Sequence, residues 1–589
     1  MRKNYFSKLM AGAAMFLSVS FGLTSCDDIL GEWDRPPPAV VEEIVELIVT
    51  KTGATPSEVT AAIKEALSDA AVQKAISTNQ PIKITITDNS NDGDGVEAST
   101  SDQTITIPVK EGLNVELIFS QAIAGTSATT PLNVVGEGTA TENGLTVSMP
   151  DVATANGITI NIDLPNTTVT LVTNGTETVY NSVTAKTAAN TLIVEEGVVI
   201  EDLKVEAGNV VINGGKVKLT EIAEGSKVTI KSGELTIASG VNISELDYQG
   251  GDVIDEDGKA VLGGTTLYAS IEDAQTAGET EVTLLADFTG KMSTIKSGTF
   301  TLNLNDKTFT CQKNDQLWSS YSGIRVKAAD LIVNAGDNGK IVFESGITYG
   351  FAITGDDKDQ GTDNLTINGG TYECGNAAQG IYFWSKNQGK LSIKDATLNS
   401  TYNAGSYTMF VYFRGGIADL ENTTINTQAS CCFDAEPIAL YKDGTSEPYY
   451  PYIIPETKAT IKNCTFTNNT YVTYTVGGTE YKSHWIATAV ACSFGAEVTI
   501  DGGTYTGKNY GAYVFSSGGT MNLKSGTFKG SMNSLRADKD NSGTVNIGNS
   551  QTKSYADFGD SYIYYSPTCT LEGETKASNE NCHIEQKNF

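Results

Sequence analysis

Two histidines, His484 and His583, are the only imidazoles in 589 residues. Nine cysteines are scattered as Cys26, Cys311, Cys374, Cys431, Cys432, Cys464, Cys492, Cys569 and Cys582, with no CxxC pair. A zinc site of the usual kind is therefore nearly excluded. Carboxylates gather in three loops. "DKDNSG" puts Asp538, Asp540, Ser542 and Gly543 at the spacing of the first half of a Ca²⁺ loop, and "DNSNDG" does so less well with Asp88, Ser90, Asp92 and Gly93. Both lack the Glu that such a loop carries at its twelfth position, where Asn549 and Ser99 stand. "GDDKDQGTD" (355–363) has four acids without fixed spacing. Ca²⁺ is the one cofactor these loops suggest; a solvated turn is the plainer account of each.

Aromatic residues carry a stronger pattern. Most of the 25 tyrosines lie after residue 345. In "GIYFWS" (380–385) and "MFVYFR" (409–414), strand alternation sends Tyr382, Trp384, Tyr412 and Arg414 to the face opposite Ile381, Phe383, Val411 and Phe413. "GAYVFS" (511–516) follows the same style. The expectation is a strip of exposed rings on neighbouring coils, the alternative being rings stacked in the core. Flat aromatic faces take sugar rings by apolar contact, and they also anchor protein partners. Two insertions, 428–458 and 470–485, add Tyr441, Tyr450, Tyr481 and Trp485 to the same candidate surface. The second reads as a hairpin turning at Gly477 and Gly478. Insertions in a repeat protein project from one side and often form its binding face.

The elements that position these residues are repeats of one phrase. It runs "LTINGGTY" (365–372), "LSIKDATL" (391–398), "ADLENTTI" (418–425), "ATIKNCTF" (459–466), "VTIDGGTY" (498–505) and "MNLKSGTF" (521–528), with a truncated "VNIGNS" from Val545. The third residue is always aliphatic and the fourth always polar. The fifth is Gly369, Asp395, Asn422, Asn463, Gly502 or Ser525, mostly types that tolerate a left-handed corner. The seventh is always Thr and the eighth always apolar. This predicts strand, tight corner, strand, repeated at a coil's length: a solenoid of parallel strands whose stacked coils bury one aliphatic core.

The phrase resembles the right-handed parallel β-helix of the pectate-lyase-like superfamily over roughly 165–565, so the expected class is all-β. That resemblance implies either a polysaccharide lyase, with carboxylates holding Ca²⁺ and a basic residue, or a hydrolase with converging Asp residues. Neither motif transfers. The outward fourth position reads Asn, Lys, Glu, Lys, Asp, Lys and gathers no carboxylates, while Arg325, Arg414 and Arg536 stand isolated. Residues 55–80 predict one amphipathic helix with Val59, Ile63, Ala66, Leu67 and Ala70 on its apolar face and a capping box of Thr55 and Glu58. Residues 81–165 read as a β-rich module, either a small sandwich or irregular first coils. A short array over 166–260 follows, then the main array over 261–568 and a tail over 569–589. "LYASIEDAQTAGETEVTLLAD" (267–287) resembles the N-terminal cap of many bacterial β-helices, with a helix started by Ser270 and Asp273.

The N-terminus reads as an address. Arg2, Lys3 and Lys8 precede an apolar run that ends in "LTSC", Leu23 to Cys26. This resembles the lipobox of bacterial lipoproteins, which implies cleavage after residue 25 and lipidation of Cys26. Asp27 and Asp28 resemble the acidic export signal of Bacteroidetes-type surface lipoproteins. Residues 26–54, with "RPPP" at 35–38, read as the anchor linker. The net charge of -30 becomes about -33 once the three leader cations are gone. A nucleic-acid partner is excluded on that charge, and polyanionic glycans are disfavoured. The expectation is a lipid-anchored outer-membrane protein, displayed on the cell surface or the periplasmic face. It would act without catalysis as an adhesin-like or glycan-binding module, with a glycan or a surface protein of host or bacterium as partner. The alternatives are a polysaccharide-degrading enzyme of the same fold and a plain structural stalk.

Overall fold

The computed structural model describes residues 45–586, leaving out 52–55, 79–81, 89–103, 109–112, 119–130, 138–142, 150–157, 174, 318–319, 355–362, 376, 386–388, 402–407, 438–455, 470–471, 477–478, 484–486, 515–518, 538–542, 549–555, 559–561, 566–569 and 574–582. Alternating apolar residues make the chain strand after strand, and nearly all the pairings are parallel. The molecule is an all-β parallel β-helix solenoid.

The first array has two ladders. One runs through Ile82–Asp88, Leu113–Ile118, Asn143–Met149, Thr167–Thr173 and Thr191–Glu195 into Asn209–Ile222. The other runs through Thr104–Pro108, Leu132–Glu137, Ile158–Asp163, Thr178–Ala185 and Val198–Val205 into the same long strand. Pairing therefore continues without a break past residue 165, and the described strands between 82 and 163 belong to the same array. Asn209–Ile222 and Lys227–Ile237 bend through the phrase's short corner, with Gly214 and Gly233 at φ 118° and 92°, and Gly197 at φ 83° turns Thr191–Glu195 into Val198–Val205.

The N-terminal helix breaks in two: α1 (Pro56–Ser68) and α2 (Ala70–Ser77). Asp69 is the reason. It is extended at ψ 137° and its carboxylate caps the Ala71 N–H at 2.7 Å, so it starts a new helix. Ala70 is consequently exposed rather than on the apolar face. Val59, Ala62, Ile63, Ala66 and Leu67 of α1 join the first core, and Thr60 accepts a hydrogen bond from the Thr106 N–H at 3.0 Å. Thr55, the expected cap, lies outside the described residues.

The described apolar residues form two large clusters. One cluster extends to Val253 and takes in Leu285; the other begins at Val261. The cap of the second array is formed by Thr266–Tyr268, α3 (Ile271–Ala277) and Glu281–Leu284. Ser270 accepts from the Asp273 N–H at 3.0 Å, and Gly278 closes the helix at φ 93°.

Each later coil contributes two short strands joined by the corner, plus a third strand in a separate sheet. Third-position residues Ile367, Ile393, Leu420, Ile461, Ile500 and Leu523 point inward, as do the eighth-position residues Tyr372 to Phe528. The corners are left-handed at Gly369, Asp395, Asn422, Asn463 and Gly502, with φ from 50° to 83°. Only Ser525 departs, passing the positive φ to Gly526 at 122°. Coils do not stop at 568: Thr570–Gly573 pairs with Thr544–Ile547, and His583–Gln586 pairs with Tyr562–Tyr565, so the expected tail continues both ladders. Six described cysteines, Cys311 to Cys492, are free and buried; Cys569 and Cys582 lie outside the described residues. Among the described residues no helix is long and apolar enough to cross a membrane.

Candidate binding face

The third sheet of the second array positions the aromatic residues. Tyr349–Thr354, Gln379–Trp384, Met409–Arg414 and Cys431–Ala435 run parallel in that order. Alternation buries Phe351, Ile381, Phe383, Val411, Phe413 and Phe433 in the main core, where Phe383 stacks near Phe413 at 5.1 Å. The register then lines up Ala352, Tyr382, Tyr412 and Asp434 in one outward row, and Thr354, Trp384 and Arg414 in the next.

These side chains form one cluster. Tyr382 has Tyr349 at 5.3 Å, Tyr412 at 6.0 Å and Trp384 at 6.1 Å between ring centres. The Arg414 guanidinium lies 5.2 Å from the Tyr412 ring centre and 5.8 Å from that of Trp384, within cation–π range. Glu436, just past the strand, accepts from the Tyr412 hydroxyl at 2.6 Å and from Arg414 Nη2 at 3.1 Å. Arg414 also donates to the Pro437 carbonyl at 3.1 Å.

The rings are not the open strip expected from sequence. Tyr382 is only 6% exposed, and Tyr349, Trp384, Tyr412 and Arg414 are partly buried. The Tyr382 ring meets Tyr349 and Tyr412 tilted and Trp384 edge-on, so each covers part of it. A short hairpin pairing Gln316–Leu317 with Ser320 and Tyr321 lays Leu317 onto Tyr382 and Ala352. Burial pushes the Tyr382 and Tyr412 hydroxyls far above their usual range, so both are neutral donors.

Asp434 is the residue that sequence reading passed over. It is fully buried, and neither of its oxygens has a hydrogen-bond partner among the described residues. Burial, then the charge of Glu436, holds its carboxyl well above the usual carboxylate range against the opposing pull of Arg414. The signal was present: "FDAEP" places Asp434 and Glu436 on one side of a strand. It was hidden because these residues open the first insertion rather than occupying the phrase. Tyr349 was missed likewise, although "TYGFAI" alternates as its neighbours do.

Farther along, Tyr513 and Arg536 continue the Tyr382 row, with the Arg536 guanidinium 5.2 Å from the Tyr510 ring centre and 5.5 Å from that of Tyr513. On the phrase faces, the alternating charges pair between coils, as Lys394 with Glu421 at 3.9 Å and Lys458 with Glu497 at 3.7 Å. The expected hairpin has its backbone formed by Val472–Val476 against Thr479–Ser483, which sets Tyr474 opposite Tyr481. Tyr441, Tyr450, Trp485, Asp538, Asp540, Ser542 and Cys26 lie outside the described residues. Among the described residues no group of three or more His, Cys, Asp or Glu could hold a metal ion.

Comparison of the chain with protein-family models, with curated proteins and with solved structures finds no match.

Proposed function

We propose that the chain is a lipid-anchored envelope protein that binds a glycan, without catalysis, on the third sheet of its second array. The observation that supports this reading is the Tyr349–Tyr382–Tyr412–Trp384 cluster with Arg414 and Glu436 at its edge. Tyr349, Trp384 and Tyr412, half-buried and held by packing around Tyr382, present their open parts at low entropic cost, and the ion pair supplies directional donors and acceptors beside them. The lipobox-like "LTSC" supports anchoring through Cys26, and the strongly acidic chain favours a neutral glycan over a polyanion. A glycan array with the mature chain is expected to select neutral sugars. Binding that survives Tyr382→Ala, Trp384→Ala and Tyr412→Ala together removes the aromatic cluster from the account. Capture of a surface protein with no glycan binding would replace the ligand class.

A second reading, glycoside hydrolysis, is favoured by Asp434 and Glu436. Asp434 lies on the strand and Glu436 two residues on, just past its end, which brings two carboxylates to the same edge of the cluster. Burial raises the Asp434 carboxyl above the usual range while Glu436 is paired with Arg414, two carboxylates held in unlike environments as an acid and its partner are. Reducing-sugar release that disappears in Asp434→Asn would establish hydrolysis and end the non-catalytic reading.

A further inference from the structure

Where the two arrays meet, the outer surface opens into a groove of about 430 Å³, whose lining includes Tyr248, Leu262, Asn303, Asn305, Asn334 and Gly336. Tyr248 belongs to the last coil of the first array, Leu262 to the cap, and the asparagines to the first coils of the second array. The junction is held firmly. The Val253 N–H donates to the Leu285 carbonyl at 2.9 Å, and Lys307 bonds Asp252 at 2.7 Å and the Gly251 carbonyl. We propose that this groove is a second carbohydrate site, for a neutral oligosaccharide, separate from the aromatic cluster of the third sheet.

The lining has the chemistry of hydroxyl recognition. Asn334 donates to Asn303 at 2.9 Å and accepts from Asn368 at 2.8 Å, and Asn303 donates to Glu281 at 2.8 Å. An amide has two N–H donors and two lone pairs on its oxygen, so this ladder leaves Asn334 one donor and one acceptor to spare. That pair matches neighbouring sugar hydroxyls, each of which donates and accepts. Tyr248 adds a partly buried ring fixed by its hydroxyl bond to the Gly251 carbonyl at 2.8 Å. A ring wall beside convergent amides is the combination that takes a pyranose: its apolar face on the ring, its edge on the amides.

Tying coils together does not require asparagine at this row. In register, the row reads Asn303, Asn334, Asn368 and then Lys394, Glu421, Lys462 and Asp501. Along this row the amides give way to charged residues past Asn368, where Lys394 pairs with Glu421 at 3.9 Å, so within the row amides stand only in the coils at and next to the groove. They repeat at the strand spacing of about 4.8 Å, close to the rise of an extended hexose chain. Charge selects against acidic sugars: Glu281 accepts from the lining residue Asn303, and Lys307 at the junction is already engaged by Asp252.

Calorimetric titration of the whole mature chain with neutral hexasaccharides of glucose, mannose and xylose, and with hexagalacturonate as the anionic control, tests this. At least one neutral hexasaccharide is expected to bind. Its affinity should fall about tenfold in Tyr248→Ala and in Asn334→Ala, and in Asn334→Asp, which keeps the size and adds a charge. Tyr248→Phe should retain most of it, and Trp384→Ala should leave it unchanged, which separates this site from the third-sheet cluster. Binding by none of the neutral probes, preference for hexagalacturonate, or equal affinity in folded Tyr248→Ala and Asn334→Asp proteins would overturn the proposal.

Discussion

Single residues in the corners carry the shape of the coil. Asn463 sits at φ 51° and Asn422 at φ 50°, a region where a residue with a plain Cβ is strained. Asn463→Ala is therefore expected to lower stability by about 1 kcal/mol in denaturant titration, while Asn463→Gly stays within a few tenths. This much was legible, because six aligned phrases expose one position that accepts only Gly, Asp, Asn or Ser. Asp434 was not legible, because burial on an outward face depends on what packs over the sheet. Its folded pKa lies above the unfolded value, so the native chain binds the extra proton between the two. The stability it contributes is complete below about pH 4 and is lost as pH rises toward the folded pKa. Asp434→Asn should thus melt higher than the parent protein at pH 7, with the gap closing toward pH 4.

At the scale of elements, periodicity gave strand identity and face, and chemistry at one residue decided the exceptions. Alternation placed Ile381 and Phe383 inward and Tyr382 and Trp384 outward, which the register of the third sheet reproduces. Exposure of those rings was not readable, since it depends on ring tilt between coils and on Leu317 arriving from a short hairpin. The helical stretch was read as one element because Asp69 fits a helix by pattern, yet its side chain caps the next turn. Asp69→Ala should cost about 1 kcal/mol and reduce protection of the α2 amides in hydrogen exchange. Unchanged protection would mean that the break comes from packing rather than from the cap.

The described coils form a repeat array in which each coil buries its inner face against its neighbours. Its two apolar cores divide between Val253 and Val261, and α1 closes the start of the first. Ile63→Asp puts a charge into that core and should loosen residues 82–255 by several kcal/mol in exchange experiments, with the second array keeping its protection. Equal loss in both arrays would show that they fold as one unit. Coils before 165 stayed one of two alternatives, and those after 568 were not legible, because these stretches of sequence lack the repeated phrase, although their described strands pair as regularly as the rest. The claim that a glycan occupies the third sheet is tested most directly by a hydrogen-exchange footprint of the mature chain with its array-selected neutral glycan. The account predicts new protection in 379–384 and 409–414. Protection confined to other coils, with these two strands unchanged, would contradict it.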